Sequence, residues 1–262
     1  VLLKKLMAHN RELGAAKKEL EKYQREMELQ LQAARDIQQS LFPRDFANAE
    51  IALSGRVEEL NGIGGDFYDF YPLDRGRYAI ILTDVSGHGI NAALVAMQMK
   101  FSFAHDLRAG KDLTAICKSI NEHFFAVYGG SGVFFTAILG VVDTANRVFE
   151  YSSAGHHPFY IIDGESVQMS DRIASHVMGI QDESDFHTHR LPLKPGMKLI
   201  LVTDGILEAR TRDGTFEENI GVVLQNLAGE PVEKILDVLI SNVLSLGLQA
   251  DDITAIGCQI PR

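Results

Sequence analysis

Two apolar runs in this chain end alike, RYAIILTD at 77–84 and MKLILVTD at 197–204. Each is short, rich in Ile and Leu, and lacks polar alternation, which is the pattern of a strand buried on both faces. Such a strand needs a packed layer above it and another below. Its terminal aspartate, however, must leave the core, and in both cases a glycine-containing turn follows: Val85-Ser86-Gly87-His88-Gly89 after Asp84, and Gly205 after Asp204. Asp66 stands at the opposite kind of boundary, after Gly64-Gly65 and before FYDFYPL, and Asp251-Asp252 immediately precede ITAIGCQI. An aspartate beside glycine is by itself an ordinary turn former. Its recurrence at four strand ends predicts a rim of carboxylates along the edge of a layered sheet structure.

The rest of the pattern after about residue 48 agrees. Short apolar runs predict strands at 51–58, 66–72, 77–84, 133–143, 147–153, 157–162, 197–203 and 253–260. Helical spacing predicts helices at 90–108, 112–128, 217–228 and 231–246. Turns such as Asp74-Arg75-Gly76 and Thr144-Ala145-Asn146 join neighbouring strands directly, so hairpins and antiparallel sheets are expected. Strands in groups and helices in pairs indicate an α+β fold. Segment 170–190 has little periodicity and reads as a surface flap.

Residues 1–42 are different. They contain no proline, and Leu6, Leu13, Leu20, Met27, Ala34 and Leu41 recur every seven positions. A second, mixed series (His9, Ala16, Tyr23, Gln30, Ile37) follows three places later. This predicts a dimerising coiled-coil helix, in preference to a single amphipathic helix packed on its own domain. Phe42-Pro43 ends it, because proline disfavours helical geometry at the residue before. The expected organisation is a regulatory helix and linker at 1–42 and a catalytic domain at 48–262. The start at Val1 suggests a missing upstream receiver or sensor domain.

A net charge of −10 disfavours nucleic acid and anionic lipid as partners. No apolar run approaches the roughly 18 residues of a membrane span. Cys117 and Cys258 lie in apolar stretches without a CxxC spacing, as expected of reduced thiols in a cytoplasmic protein.

Converging carboxylates repel one another unless a cation neutralises them. Hard divalent ions such as Mg²⁺ take oxygen ligands, and Mn²⁺ suits the same sites. Two such ions can activate water and stabilise both ends of an in-line phosphoryl transfer. Zinc hydrolysis, a Ser-His-Asp elbow and a P-loop have no matching motif here.

At this point the residues resemble a known family. NGIGGDFYDFYPL (61–73), AIILTDVSGHGINAALVA (79–96), FTAILGVVD (135–143), YSSAGHHPFYII (151–162), LILVTDGILEAR (199–210) and DDITAIGCQI (251–260) are similar, in order, to the PPM-type (protein phosphatase type 2C) phosphatases, in their bacterial SpoIIE/RsbU-like branch. ARDIQQSLFP (34–43) resembles that branch's connection between regulatory helix and catalytic domain. The resemblance implies a sandwich of two antiparallel β-sheets flanked by helices on both faces. It implies two Mg²⁺ or Mn²⁺ ions, bridged by Asp66, with Asp84 and the Val85 carbonyl on one and Asp204 and Asp251 completing the other. Asp252 and Glu208 are accessory candidates; for Glu208 a solvated charge is the alternative. His88 is a candidate general acid, with a turn residue as its alternative, and His156 and His157 are expected to be structural. No arginine is assigned to substrate phosphate.

The implied function is a serine/threonine protein phosphatase of bacterial signalling, acting through activated water on a small phosphorylated regulator of the anti-anti-sigma type. Linkage to a two-component response regulator is part of that expectation. Two other classes compete. GGDF at 64–67 also occurs in diguanylate cyclases, but Phe67 stands where that family carries a second acid. A non-catalytic adaptor with a phosphatase fold would keep the architecture without turnover.

Overall fold

The structure, a computed structural model, describes residues 2–262 apart from Asn61, Arg75, Arg212, Asp213 and Leu248. Val1, the Asn61 that heads the first motif and the Arg75 of the expected Asp74-Arg75-Gly76 turn therefore lie outside the described residues. The chain divides into two compact units, 1–41 and 42–262.

The first unit is one helix, α1 (Leu2–Ser40). Its Leu/Ala/Lys/Glu/Gln composition is helix-forming, and Lys17–Glu21 and Lys22–Glu26 pair at the i,i+4 spacing. Leu6, Leu13, Leu20 and Met27 are exposed along it.

The second unit contains β1 (Phe46–Ala47), β2 (Ala52–Glu58), β3 (Phe67–Pro72), β4 (Arg77–Val85), α2 (Ile90–Arg108), α3 (Leu113–Tyr128), β5 (Phe135–Asp143), β6 (Val148–Ala154), β7 (Tyr160–Asp163), β8 (Ser166–Met169), β9 (His189–Pro192), β10 (Lys198–Val202), α4 (Asp204–Leu207), α5 (Glu217–Asn226), α6 (Val232–Ser245) and β11 (Ile253–Gln259). The strands form two sheets, ordered β1-β2-β11-β10-β7-β8 and β3-β4-β5-β6-β9. All named pairs are antiparallel.

The apolar runs explain the layers. Along β4, Ala79 and Ile81 face a core shared with α2 and α3, whereas Ile80 and Leu82 face the opposite sheet. Along β10, Leu199 and Leu201 enter that same inter-sheet core, while Ile200 and Val202 pack with Ile235, Leu236 and Leu239 of α6. Side chains alternate across a strand, so a strand covered on both faces must be apolar at successive positions. The result is a four-layer sandwich with helices outside each sheet.

The hairpin turns are held as expected. Arg77 N–H donates to the Asp74 carbonyl at 2.9 Å, and Asn146 N–H donates to Asp143 Oδ1 at 2.8 Å. Segment 170–190 departs from the surface flap expected of it. Met178 and Phe186 are buried in the core beneath α3, and Met178 forms an isolated bridge with Phe135. The buried Asn121 of α3 holds the segment: its Nδ2 donates to the Gln181 and Asp182 carbonyls, and its Oδ1 accepts from Gly179 N–H at 2.9 Å. Two isolated apolar anchors leave no periodicity to detect.

Candidate metal centre

The loop that leads through Asp66 into β3 is built from close approaches. Asp252 is buried, and its carboxylate accepts from Leu60 N–H at 2.8 Å and from Gly65 N–H at 2.7 Å. It thereby clamps the loop that delivers Asp66. A side chain at Gly65 would meet the Val85 carbonyl oxygen at 2.7 Å and Ala92 Cβ at 3.0 Å. At Gly64 an added Cβ would lie 2.3 Å from Asp252 Oδ2. These glycines are there for chain threading between Asp252 and Val85, which accounts for GGDF without a nucleotide.

Asp66 is only 2% exposed, and Thr203 Oγ1 donates to its Oδ2 at 2.8 Å. Its carboxyl is held well above the usual range, first by burial and then by the charge of Asp84. Asp84, half-buried at the end of β4, is pushed up to about 7 by burial and by Asp204, Asp251 and Asp252. Burial, Asp251 and Glu208 raise Asp204, while the neighbouring His157 opposes them. Asp252 is raised by burial despite its backbone donors. Asp251 is exposed, and its Oδ1 accepts from Asp252 N–H at 2.8 Å.

The structure thus brings Asp66, Asp84, Asp204 and Asp251 into one electrostatic group, with the Val85 backbone against the Asp66 loop and Glu208 beside Asp204. Among the described residues, no three His, Cys, Asp or Glu side chains close around a single point. The donors are all oxygen, Asp66 lies deep, and among the described residues burial and neighbouring carboxylates are what raise Asp66, Asp84 and Asp204. That chemistry fits a hard divalent ion, which keeps several of its waters rather than demanding a closed protein cage.

The histidines divide. His88 is exposed on the turn before α2. His156 is buried, its Nδ1 lies 2.8 Å from Thr136 Oγ1, and burial pushes it down to about 3, so it is a neutral structural group. His157 instead reaches the electrostatic field of Asp204, a neighbour that sequence spacing alone did not distinguish from His156. A cleft of about 440 Å³ opens beside Asp204, Glu208 and Asp251 and is also lined by Arg210, Thr215 and Glu217.

Comparison with known proteins places the chain by family and fold. The family model described as stage II sporulation protein E (SpoIIE) matches residues 74–261. Phosphoserine phosphatase RsbP of Bacillus subtilis is 27% identical over 182 residues, covering 68% of this chain and 45% of RsbP, so the chain spans less than half of that relative. The SiaA-PP2C domain of Pseudomonas aeruginosa superposes with a TM-score of 0.78 at 24% identity, covering 90% of this chain and 98% of that one. RsbX, solved in complex with magnesium, superposes with a TM-score of 0.64 at 22% identity, covering 82% and 98%. The matched family model spans most of the sandwich, from the β3–β4 turn to the end of β11, and the chain therefore belongs to the SpoIIE family of PPM-type phosphatases.

Proposed function

We propose that the 42–262 unit is a metal-dependent protein serine/threonine phosphatase. The observation that carries this reading is the buried Asp66 carboxylate beside Asp84, at a rim shared with Asp204 and Asp251. Asp66, Asp84, the Val85 carbonyl, Asp204 and Asp251 would hold two Mg²⁺ or Mn²⁺ ions, with Glu208 at their margin. When bound, such ions supply Lewis acidity that activates water and neutralises charge on phosphoryl oxygens. Asp252 keeps the Asp66 loop in place, Thr203 orients the Asp66 carboxylate, and the two sheets fix the backbone on which the other acids stand. The magnesium of RsbX and the phosphoserine named for RsbP support this ion and this substrate class.

Hydrolysis of a generic phosphomonoester and of a phosphoserine peptide should require Mn²⁺ or Mg²⁺ and fall to background in EDTA. With water as nucleophile, no phosphorylated enzyme should be trapped during turnover. Hydrolysis that persists after complete chelation would sink the reading. A protein that binds Mn²⁺ but turns over neither substrate would favour the adaptor alternative.

The natural substrate in this reading is a small phosphorylated regulator of bacterial signalling, of the anti-anti-sigma type, with the input arriving through an upstream receiver or sensor domain. Among the described residues, no helix is long and apolar enough to cross a membrane, and the free, buried thiols of Cys117 and Cys258 suit the reducing cytoplasm. The exposed seam of α1 makes the protein a homodimer. Leu13→Glu with Leu20→Glu places charge in that seam and should shift the protein to monomer in sedimentation at matched concentration. A wild type that sediments as a monomer at high concentration would refute the coiled coil.

A further inference from the structure

The motif around Asp66 contains a second aspartate that the centre does not use. Asp69 lies on β3, paired with Ile81 of β4, and is 9% exposed. Lys100 of α2, 7% exposed, places its Nζ 2.5 Å from Asp69 Oδ2 and 6.0 Å from the centre of the Phe67 ring. A buried ion pair contributes little net stability, because desolvating two charges offsets most of their attraction. What such a pair can provide is register, because sliding either element leaves both buried charges without a partner. Toward its N-terminal end the buried face of α2 is Ala92, Ala93, Val95 and Ala96, small side chains with little relief to lock the helix along its axis, while Phe103 and Leu107 anchor its far end.

The register of α2 matters to the centre because of Gly65. That glycine is wedged between the Val85 carbonyl and Ala92, the third residue of α2. Ala92 and Lys100 are eight residues apart, about 12 Å along a helix, and Asp69 lies on the strand that begins immediately after Asp66. Sliding α2 on β3 would therefore move the wall that presses the Asp66 loop against Val85. We propose that the Lys100–Asp69 ion pair is a positioning pair: it sets α2 on β3 so that Ala92 holds Asp66 at the spacing cation binding requires. This rests on the metal-dependent reading above.

The test compares wild type, Lys100→Met/Asp69→Leu and Asp69→Asn by calorimetric titration with Mn²⁺, thermal melts in EDTA, and phosphomonoester kinetics across Mn²⁺ concentration. The double variant removes both charges and should melt in EDTA no lower than wild type, yet bind Mn²⁺ at least about tenfold more weakly. Its kcat should fall at any subsaturating Mn²⁺ while the phosphomonoester KM stays near wild type. Asp69→Asn, which keeps the shape of the site, should weaken Mn²⁺ binding in the same direction. An unchanged Mn²⁺ Kd in either folded variant overturns the positioning role and leaves the metal-dependent reading intact. A wild type that binds no Mn²⁺ overturns both, and its own titration identifies that outcome.

Discussion

Asp204→Asn is expected to melt higher than the wild type in EDTA, to melt lower than it in excess Mn²⁺, and to lose turnover. Asp204 opens α4 directly after β10, and its backbone is fixed by the sheet and by the bond from Glu208 N–H to its carbonyl at 2.7 Å. The side chain is thus dispensable for the fold. Without a cation it is one like charge among several, raised by burial, Asp251 and Glu208. A neutral isostere relieves that repulsion at little packing cost. With Mn²⁺ at about one hundred times its dissociation constant, linkage stabilises the wild type by roughly 2.7 kcal/mol. For a domain of this size that corresponds to roughly 5–10 °C in melting temperature. The variant, lacking a charged ligand, should gain much less, so the order reverses.

The sign of the pH dependence follows from the same group. Asp84 moves from an ordinary value of 3.8 to about 7 in the folded chain. A carboxyl whose folded pKa lies above its unfolded one contributes stability that is complete below the unfolded value and is lost as pH rises through the folded value. In EDTA, the wild type should therefore melt lower at pH 8 than at pH 5. Mn²⁺ should oppose that loss. Melts of both proteins at both pH values, with and without the ion, read all of this. An Asp204→Asn protein that melts below wild type in EDTA, or keeps its Mn²⁺-dependent turnover, would mean that Asp204 has another role.

The parts of this site that were legible in sequence are those where burial leaves a continuous mark. β4 and β10 read as strands because both of their faces are covered, and the aspartates at their ends could be located from that alone. β9, His189–Pro192, is an edge strand with alternating exposure and few apolar residues, so nothing marked it. The four-residue strand β8 and the single-turn helix α4 are too short for any period to register. Asp251 and Asp252 are identical in sequence, yet one is exposed and the other clamps the Asp66 loop with both oxygens. Only the direction of successive side chains at the start of β11 separates them. Nothing in the sequence marked Lys100, since its partner lies on another element 31 residues earlier in the chain. The six motifs in order identified the family; the physical roles of Asp252, Asp69 and His157 within them required the fold.

Gly205→Ala is expected to be among the most damaging single-methyl additions the chain can receive. A Cβ built on Gly205 would stand 1.8 Å from the Asp252 carbonyl oxygen and 2.8 Å from its carbonyl carbon. Those atoms are backbone at the head of β11, which pairs with both β10 and β2, so no rotamer change can make room. Either α4 lifts away from β11 or the start of β11 peels from the sheet. Overpacking costs about 1–3 kcal/mol where side chains can adjust, and here the upper end or more is expected. In a domain of this size that lowers the melting temperature by roughly 6–12 °C. The displacement separates Asp204, the residue before Gly205, from Asp251 and Asp252, and a misplacement of about 1 Å at a catalytic centre can cost on the order of 10²-fold in rate. Gly221→Ala supplies the opposite control. Gly221 lies within α5 with nothing within 4 Å of an added Cβ, so alanine there should stabilise by about 0.8–1 kcal/mol through helix propensity. Melting and phosphomonoester hydrolysis of the two variants side by side decide the matter. If Gly205→Ala melted as high as Gly221→Ala and retained turnover, α4 and β11 could not be in the contact that places the rim aspartates together.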